Sequence, residues 1–284
     1  VIPVAFDYLR PSTVDDTVAA LAEAGDEAKI IAGGQSLLPV LRLRLAAPSL
    51  LIDLGGMPQL HGIRDAGDTL VIGAMTTHDE VATSPLVARF APLLGQAAAS
   101  VGDRQVRHRG TLGGSLAHAD PAADLPAVAA ALDLTYIVSG SSGRRTVSAA
   151  DFAVDLFTTA LGPDEVLVEV QVPKLEGWGA HYEKFHRVEQ AWAIVGVAAT
   201  VRRSTSTIDA ARVALTNMGP KPVRATQLEQ ALVGCPVDAR AITEACVSAA
   251  EGTSPVDDLS GSADYRRHLA RVLAARAVSA AAGV

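Results

Sequence analysis

Two glycine pairs constrain the fold of this chain more than any other feature. The first lies in Ala32-Gly33-Gly34-Gln35-Ser36, directly after the apolar stretch Lys29-Ile30-Ile31, and the second in Thr111-Leu112-Gly113-Gly114-Ser115. Adjacent glycines permit positive φ and close backbone approach, and successive exposed N–H groups in such a turn form a nest for an anion. Ser36 beside the first pair, and Thr111 or Ser115 beside the second, add hydroxyl donors. Two such loops predict a clamp that grips a pyrophosphate from both sides. Backbone donors suit a chain with a net charge of −7, because they hold a dianion without many lysines. The competing reading is plain: a Gly-Gly after a strand is more often only a tight turn. Neither loop is a P-loop or a G-x-G-x-x-G fingerprint. Composition and spacing alone reach a nucleotide-binding α+β protein and go no further.

The bulk properties exclude several other classes. At 284 residues the chain has room for two or three compact units, and 49% hydrophobic against 19% charged residues marks it as globular. An acidic balance with no run of five like charges argues against a nucleic-acid partner. No apolar run approaches a membrane span. The start, Val1-Ile2-Pro3-Val4-Ala5-Phe6-Asp7, lacks the basic and apolar regions of a signal peptide. Cys235 and Cys246 are the only cysteines, too few for a four-cysteine zinc site or a [2Fe–2S] cluster. Two cysteines fit a reduced, cytoplasmic protein and leave export as part of a folded complex open.

The local pattern reads as α+β throughout. Thr13 caps a helix with Val14, Val18 and Leu21 on one face, and Gly25 ends it. Leu50–Leu54 and Leu70–Ala74 read as strands, and Thr77 with Glu80 makes a capping box. Pro92–Ser100 is helical, followed by a glycine-bearing loop from Val101 to Asp124. Thr135–Val138 and Arg145–Val147 form a hairpin about Gly140–Gly143, and Val166–Val172 is a strong strand. A boundary falls at Pro173–Gly177. Beyond it, Ala191–Val201 and Ala211–Leu215 read as strands, while Thr226–Leu232, Ala239–Gly252 and Asp264–Ala282 read as helices.

Longer context sharpens this reading. Ala32–Pro39, Gly73–His78 and above all Val106–Pro126 closely resemble the FAD-binding medium subunits of molybdenum hydroxylases, particularly those of the aerobic carbon monoxide dehydrogenase type. The similarity extends over essentially the whole chain, to Phe157–Leu161, Lys184-Phe185, Val195–Ala198 and Tyr265–Leu273. The resemblance implies a two-subdomain, PCMH-type FAD-binding fold over residues 1–56 and 57–175. A C-terminal α+β domain of carbon monoxide dehydrogenase flavoprotein type would follow over 176–284. It implies non-covalent FAD held by Ala32, Gly33, Gly34, Gln35 and Ser36, and by Thr111, Leu112, Gly113, Gly114 and Ser115. It carries over Asp124, Leu167 and Lys184 as further contacts, and Ile72, Gly73 and Ala74 at the adenosine half. Trp192 stands where many relatives place Tyr against the isoalloxazine ring. Gln35 replaces a frequent His, and Leu112 and Ser115 replace frequent Ile and Asn. Backbone donors would do most of the phosphate binding, so these changes should not abolish it.

The resemblance also implies partners: a small subunit with [2Fe–2S] clusters and a large subunit with the molybdopterin cofactor, usually as a dimer of heterotrimers. Electrons would run from molybdenum through the clusters to FAD and on to a quinone or another acceptor. The setting would be cytoplasmic, at the inner face of the membrane through that acceptor. No residue is expected to be catalytic on an organic substrate or to bind a metal, since no nucleophile has an evident nearby base. Asp124 is expected to accept from the ribose hydroxyls. His118 with Asp120 reads as loop ordering, His78 as structural, and the cluster Arg104, Arg107, His108 and Arg109 equally as a solvated face or a docking patch. The alternatives are a stand-alone FAD oxidoreductase of the same fold and a flavin-free bridging scaffold.

Overall fold

The computed structural model describes residues 2–284. The N-terminal unit runs β1 (Asp7–Leu9), α1 (Val14–Ala24), β2 (Ala28–Ile31), α2 (Leu37–Arg42) and β3 (Leu50–Asp53), with β3 between β1 and β2 in a parallel sheet. Thr13 caps α1 by accepting from the Asp16 N–H, and Gly25, at φ 55°, ends it. The buried stripe Val14, Val18 and Leu21 packs on Ile52, Leu54 and Met57. β1 is exposed along its length, so it carries no burial pattern that the sequence could reveal.

The second unit runs β4 (Ile63–Ala66), β5 (Thr69–Gly73), α3 (His78–Thr83), α4 (Pro85–Phe90), α5 (Pro92–Ala99), α6 (Arg104–Arg107), α7 (Leu112–His118) and α8 (Asp124–Leu132). It continues with β6 (Thr135–Gly140), β7 (Gly143–Ser148), α9 (Ala149–Phe152), β8 (Ala153–Asp155), β9 (Thr158–Thr159) and β10 (Val166–Pro173). The five-stranded sheet has the order β4-β5-β10-β6-β7, with β10 returning between β5 and β6. A bulge in β10 between Leu167 and Glu169 lets Val166 and Val168 face the N-terminal core while Leu167, Val170 and Val172 face the second. The stretch Val101–Asp124 is not the open loop expected. It holds α6 and α7, capped by Asp103 and Thr111, and α8 begins at Asp124. Helices of four and seven residues are too short to display a 3.6-residue period.

The C-terminal unit is the antiparallel sheet β11 (Gly179–Phe185), β12 (Val195–Arg203), β13 (Ile208–Thr216) and β14 (Val223–Arg224), covered by α10 (Thr226–Leu232), α11 (Ala239–Ala245) and α12 (Ala263–Ala282). Val195, Val197, Ala199 and Val201 of β12 face these helices, whereas Ala198, with Tyr182 and Ala214, joins the core of the second unit. The sheet is therefore buried on both faces. β12 starts at Val195, not Ala191, which leaves Trp192 in the preceding loop. Among the described residues no helix is long and apolar enough to cross a membrane.

Candidate functional site

A cavity of about 740 Å³ opens where the three units meet, within the ~300–1,000 Å³ usual for cofactor pockets. The N-terminal unit supplies Gly33 to Ser36, the second unit supplies Thr111, Gly113 to Ser115 and the approach to β10, and the C-terminal unit supplies Lys184 and Gln190 to Trp192. Among the described residues, fourteen of the seventeen sequence-predicted positions line it: Ala32, Gly33, Gly34, Gln35, Ser36, Ala74, Thr111, Gly113, Gly114, Ser115, Asp124, Leu167, Lys184 and Trp192.

The two glycine loops do different work. The backbone N–H groups of Gly33, Gly34, Gln35 and Ser36 donate to no acceptor among the described residues, so the first loop presents a row of open donors to the cavity. The second loop is not an open nest. Its Leu112 N–H donates to the Thr76 carbonyl (2.9 Å) and its Gly113 N–H to the Ala74 carbonyl (2.8 Å). The Gly114 N–H donates to the Thr111 hydroxyl, the N-cap of α7. Thr111 and Ser115 hydroxyls remain as its contribution to a ligand.

Glycine is required in these loops mainly by protein contacts. A Cβ on Gly33 would lie 2.2 Å from the Arg109 carbonyl oxygen, so the two loops touch there, and a Cβ on Gly113 would lie 2.7 Å from the Ala74 carbonyl oxygen. Gly34 has φ +75°, which favours glycine outright. A Cβ on Gly114 would meet the Thr111 hydroxyl at 2.7 Å before meeting any ligand.

Three predicted contacts fall away from the cavity. Leu112 and Ile72 are fully buried in the hydrophobic core. Gly73 packs so tightly on Leu60 that a Cβ would lie 2.2 Å from its carbonyl oxygen. Of that predicted strand end, only Ala74 lines the wall.

Asp124 lines the cavity and is also bonded within the protein. Its carboxylate is buried; Oδ1 accepts from the Tyr182 hydroxyl at 2.6 Å and Oδ2 from Lys184 Nζ at 2.8 Å. Each oxygen keeps a further lone pair, so the two internal bonds orient the carboxylate without exhausting its capacity to accept. Burial pushes the Asp124 carboxyl above its ordinary range, opposed by the Lys184 charge and by bonds from Lys184 and Tyr182. Lys184 donates a second time to the Ser100 carbonyl at 3.1 Å, which leaves its third N–H for a ligand.

Trp192 is 53% exposed on the cavity wall, not a core tryptophan. The loop that carries it is pinned at its base, where Asn217 donates to the Ala193 carbonyl (2.8 Å) and buried Arg266 to the Ile194 carbonyl. Gln190 bonds Asp103 at the N-terminus of α6.

His78 is the site residue that sequence reasoning undervalued. It lines the cavity, is buried, and its Nδ1 has no partner among the described residues. Burial, helped by the Arg107 charge, pulls its pKa down to about 4. The signals for it were its place in the Thr77 capping box and at the end of the block Gly73–His78 that carries the family resemblance. His118 also lines the cavity and stacks on Phe157 at 5.1 Å, while Asp120 orders its loop by accepting from the Ala122 N–H. Arg107 of the basic cluster turns inward, donating to the Val101 and Gly102 carbonyls, and His108 faces Asp79.

Comparison with known proteins gives this geometry its context. Residues 4–175 match the FAD-binding domain in molybdopterin dehydrogenase, and residues 180–281 match the carbon monoxide dehydrogenase flavoprotein C-terminal domain. The chain is 41% identical to the carbon monoxide dehydrogenase medium chain of Hydrogenophaga pseudoflava, over 99% of this chain and 98% of the relative.

The chain belongs to the FAD-binding medium subunits of the molybdenum hydroxylases.

Another relative is the 6-hydroxypseudooxynicotine dehydrogenase complex subunit alpha of Paenarthrobacter nicotinovorans, 38% identical over 98% of this chain and 95% of the relative. Among solved structures, the Hydrogenophaga pseudoflava carbon monoxide dehydrogenase lacking the Mo-pyranopterin moiety of its molybdenum cofactor superposes with a TM-score of 0.96. That match is 42% identical and covers 99% of this chain and 98% of the other. FAD is the cofactor of the medium subunit, and the open donors of the first loop fit its pyrophosphate. When bound, FAD supplies the redox chemistry, so the chain needs no nucleophile or base. The medium subunit has two cysteines, Cys246 sealed in the C-terminal core and Cys235 beside it. Two cysteines are too few to ligate a [2Fe–2S] cluster.

Proposed function

We propose that the medium subunit holds FAD across the junction of its three units. Gly33 to Ser36 take the pyrophosphate through backbone donors, and Thr111 and Ser115 support it from the facing side. Ala74 and Leu167 wall the adenosine half, Lys184 offers its third N–H, and Trp192 lies against the isoalloxazine ring. The division into 1–56, 57–175 and 176–284 is part of this reading, supported by the three-, five- and four-stranded sheets that fall one in each stretch.

In this reading the chain relays electrons. They arrive from the [2Fe–2S] clusters of a small partner subunit, which draws on molybdenum in a large one. They leave to a quinone or another acceptor in the cytoplasm, at the inner face of the membrane. Two heterotrimers make the assembly. The substrate belongs to the large subunit, and carbon monoxide, an aldehyde and an N-heterocycle all fit a chain of this kind.

The observation that carries the reading is the row of open backbone donors facing a cavity that all three units line. The test is to purify the chain with its partners, precipitate it with acid, and assay flavin in the supernatant. Full release is expected, and flavin left in the pellet would refute non-covalent binding. Substrate should bleach the flavin only when the partner subunits are present. Bleaching of the chain alone would favour a stand-alone oxidoreductase.

A further inference from the structure

Tyr182 lies in β11 with its hydroxyl buried beneath the cavity, at the contact between the second and C-terminal units. The hydroxyl donates to Asp124 Oδ1 at 2.6 Å and sits 3.2 Å from the Thr216 hydroxyl. Two residues along the same strand face, Lys184 Nζ bonds the other carboxylate oxygen at 2.8 Å. Asp124 opens α8 in the second unit, so β11 grips it with a neutral donor on one oxygen and a cation on the other. Gly196 of β12 leaves the space for this: a Cβ there would lie 2.6 Å from the Tyr182 hydroxyl and 3.0 Å from Thr216. Glycine inside a strand marks such a close approach.

We propose that Tyr182 is a positioning residue of the flavin site, holding Asp124 ionised and turned so that Lys184 stays in the cavity wall. The inference rests on FAD occupying that cavity. Both carboxylate oxygens accept, an arrangement that favours the ionised carboxylate against the upward push of burial. A buried carboxylate is costly unless each oxygen is bonded, and Tyr182 supplies the bond that Lys184 does not. When Asp124 takes up a proton, the Lys184 ammonium loses its counter-charge, and the Tyr182 hydroxyl is free to turn to Thr216. The ionisable groups acting on Asp124 are Lys184, Tyr182 and His186. From the elements around it, α5 brings the Ser100 carbonyl that Lys184 bonds, and β13 brings the Thr216 hydroxyl. Arg224 of β14 acts at the far end of α8, on Ala130 and Asp133, and the His118 ring of α7 stacks on Phe157. Losing the Tyr182 bond favours the protonated carboxyl, so the acid loss of flavin affinity starts at higher pH.

The experiment titrates FAD into the deflavinated complex of the medium subunit with its partners, from pH 8 to pH 5. Tyr182→Phe keeps the ring and is expected to bind FAD nearly as wild type at pH 8. Its acid limb should lie at higher pH, with binding about twofold weaker where wild type begins to fall and up to about tenfold weaker further down the limb. Gly196→Ala pushes the hydroxyl away from the other side and should move the limb in the same direction. Asp124→Asn removes the titrating group, so adding Tyr182→Phe to it should change nothing further. The shift should persist in a His186→Gln background. A pH-independent loss, an unshifted limb, an additive double variant, or a shift that vanishes with His186→Gln each overturns the proposal. A wild-type complex that takes up no FAD at any pH counts against the cofactor reading instead.

Discussion

At the scale of single residues, burial changes what a side chain does. His78 is an ordinary helix N-terminal histidine in sequence, yet in the fold it is buried and its pKa is pulled down to about 4. A depressed histidine contributes stability that is present above its unfolded value near 6.5 and is lost as pH falls toward the folded value. Between those limits the unfolded chain takes the proton and the folded chain does not, which amounts to roughly 3 kcal/mol. Denaturant unfolding at pH 7 and pH 4.5 should show a marked acid loss in wild type that His78→Gln largely removes. An equal loss in the variant would assign it elsewhere. Trp192 makes the opposite case, because it is half exposed. Trp192→Ala should cost less than about 1 kcal/mol, against about 3–5 kcal/mol for a core aromatic. Trp192→Phe, harder to oxidise, should raise flavin emission with little loss of FAD. Unchanged emission would move the indole off the flavin. Gly33→Ala should cost most of the FAD because its Cβ collides with the Arg109 carbonyl, read as flavin absorbance per chain. Full flavin content would remove that contact from the site.

At the scale of elements, the same Gly-Gly pattern builds two unlike structures. After β2 the pair lies in an open turn with free donors, whereas the second pair sits inside the first turn of α7, braced by Thr76 and Ala74. Thr111 carries that brace as the α7 N-cap. Thr111→Ala should lower stability by about 1 kcal/mol and weaken FAD binding, and Thr111→Ser should restore both, as denaturant and flavin titrations will test. Elements with caps and long patterns were legible from sequence: α1 with Thr13, α3 with its Thr77–Glu80 box, the β6–β7 hairpin and α12. α6, β8, β9 and β14 were not, since two to four residues hold no period. β11 was missed as well, because its burial mixes partly covered polar residues with Tyr182.

At the scale of the molecule, the core of the second unit is completed by Tyr182, Ala198 and Ala214 from the C-terminal sheet. Residues 1–175 expressed alone should therefore expose apolar surface, bind a hydrophobic dye and fail to retain FAD. A monomeric, cooperatively unfolding fragment with bound flavin would show the three units to be less dependent than the shared core requires.

What the amino-acid sequence determined by itself is the α+β class, the caps, the main strands, the two glycine loops and the family. These rest on patterns a few residues long, or on a long specific block such as Val106–Pro126. Tertiary structure decided which loop keeps its donors free, that Ile72, Gly73 and Leu112 belong to the packed interior, and that Asp124 answers to Tyr182 and Lys184. Each depends on which distant backbone or side chain arrives beside it. A hydrogen bond between residues 58 or 60 positions apart leaves no periodic trace in the chain.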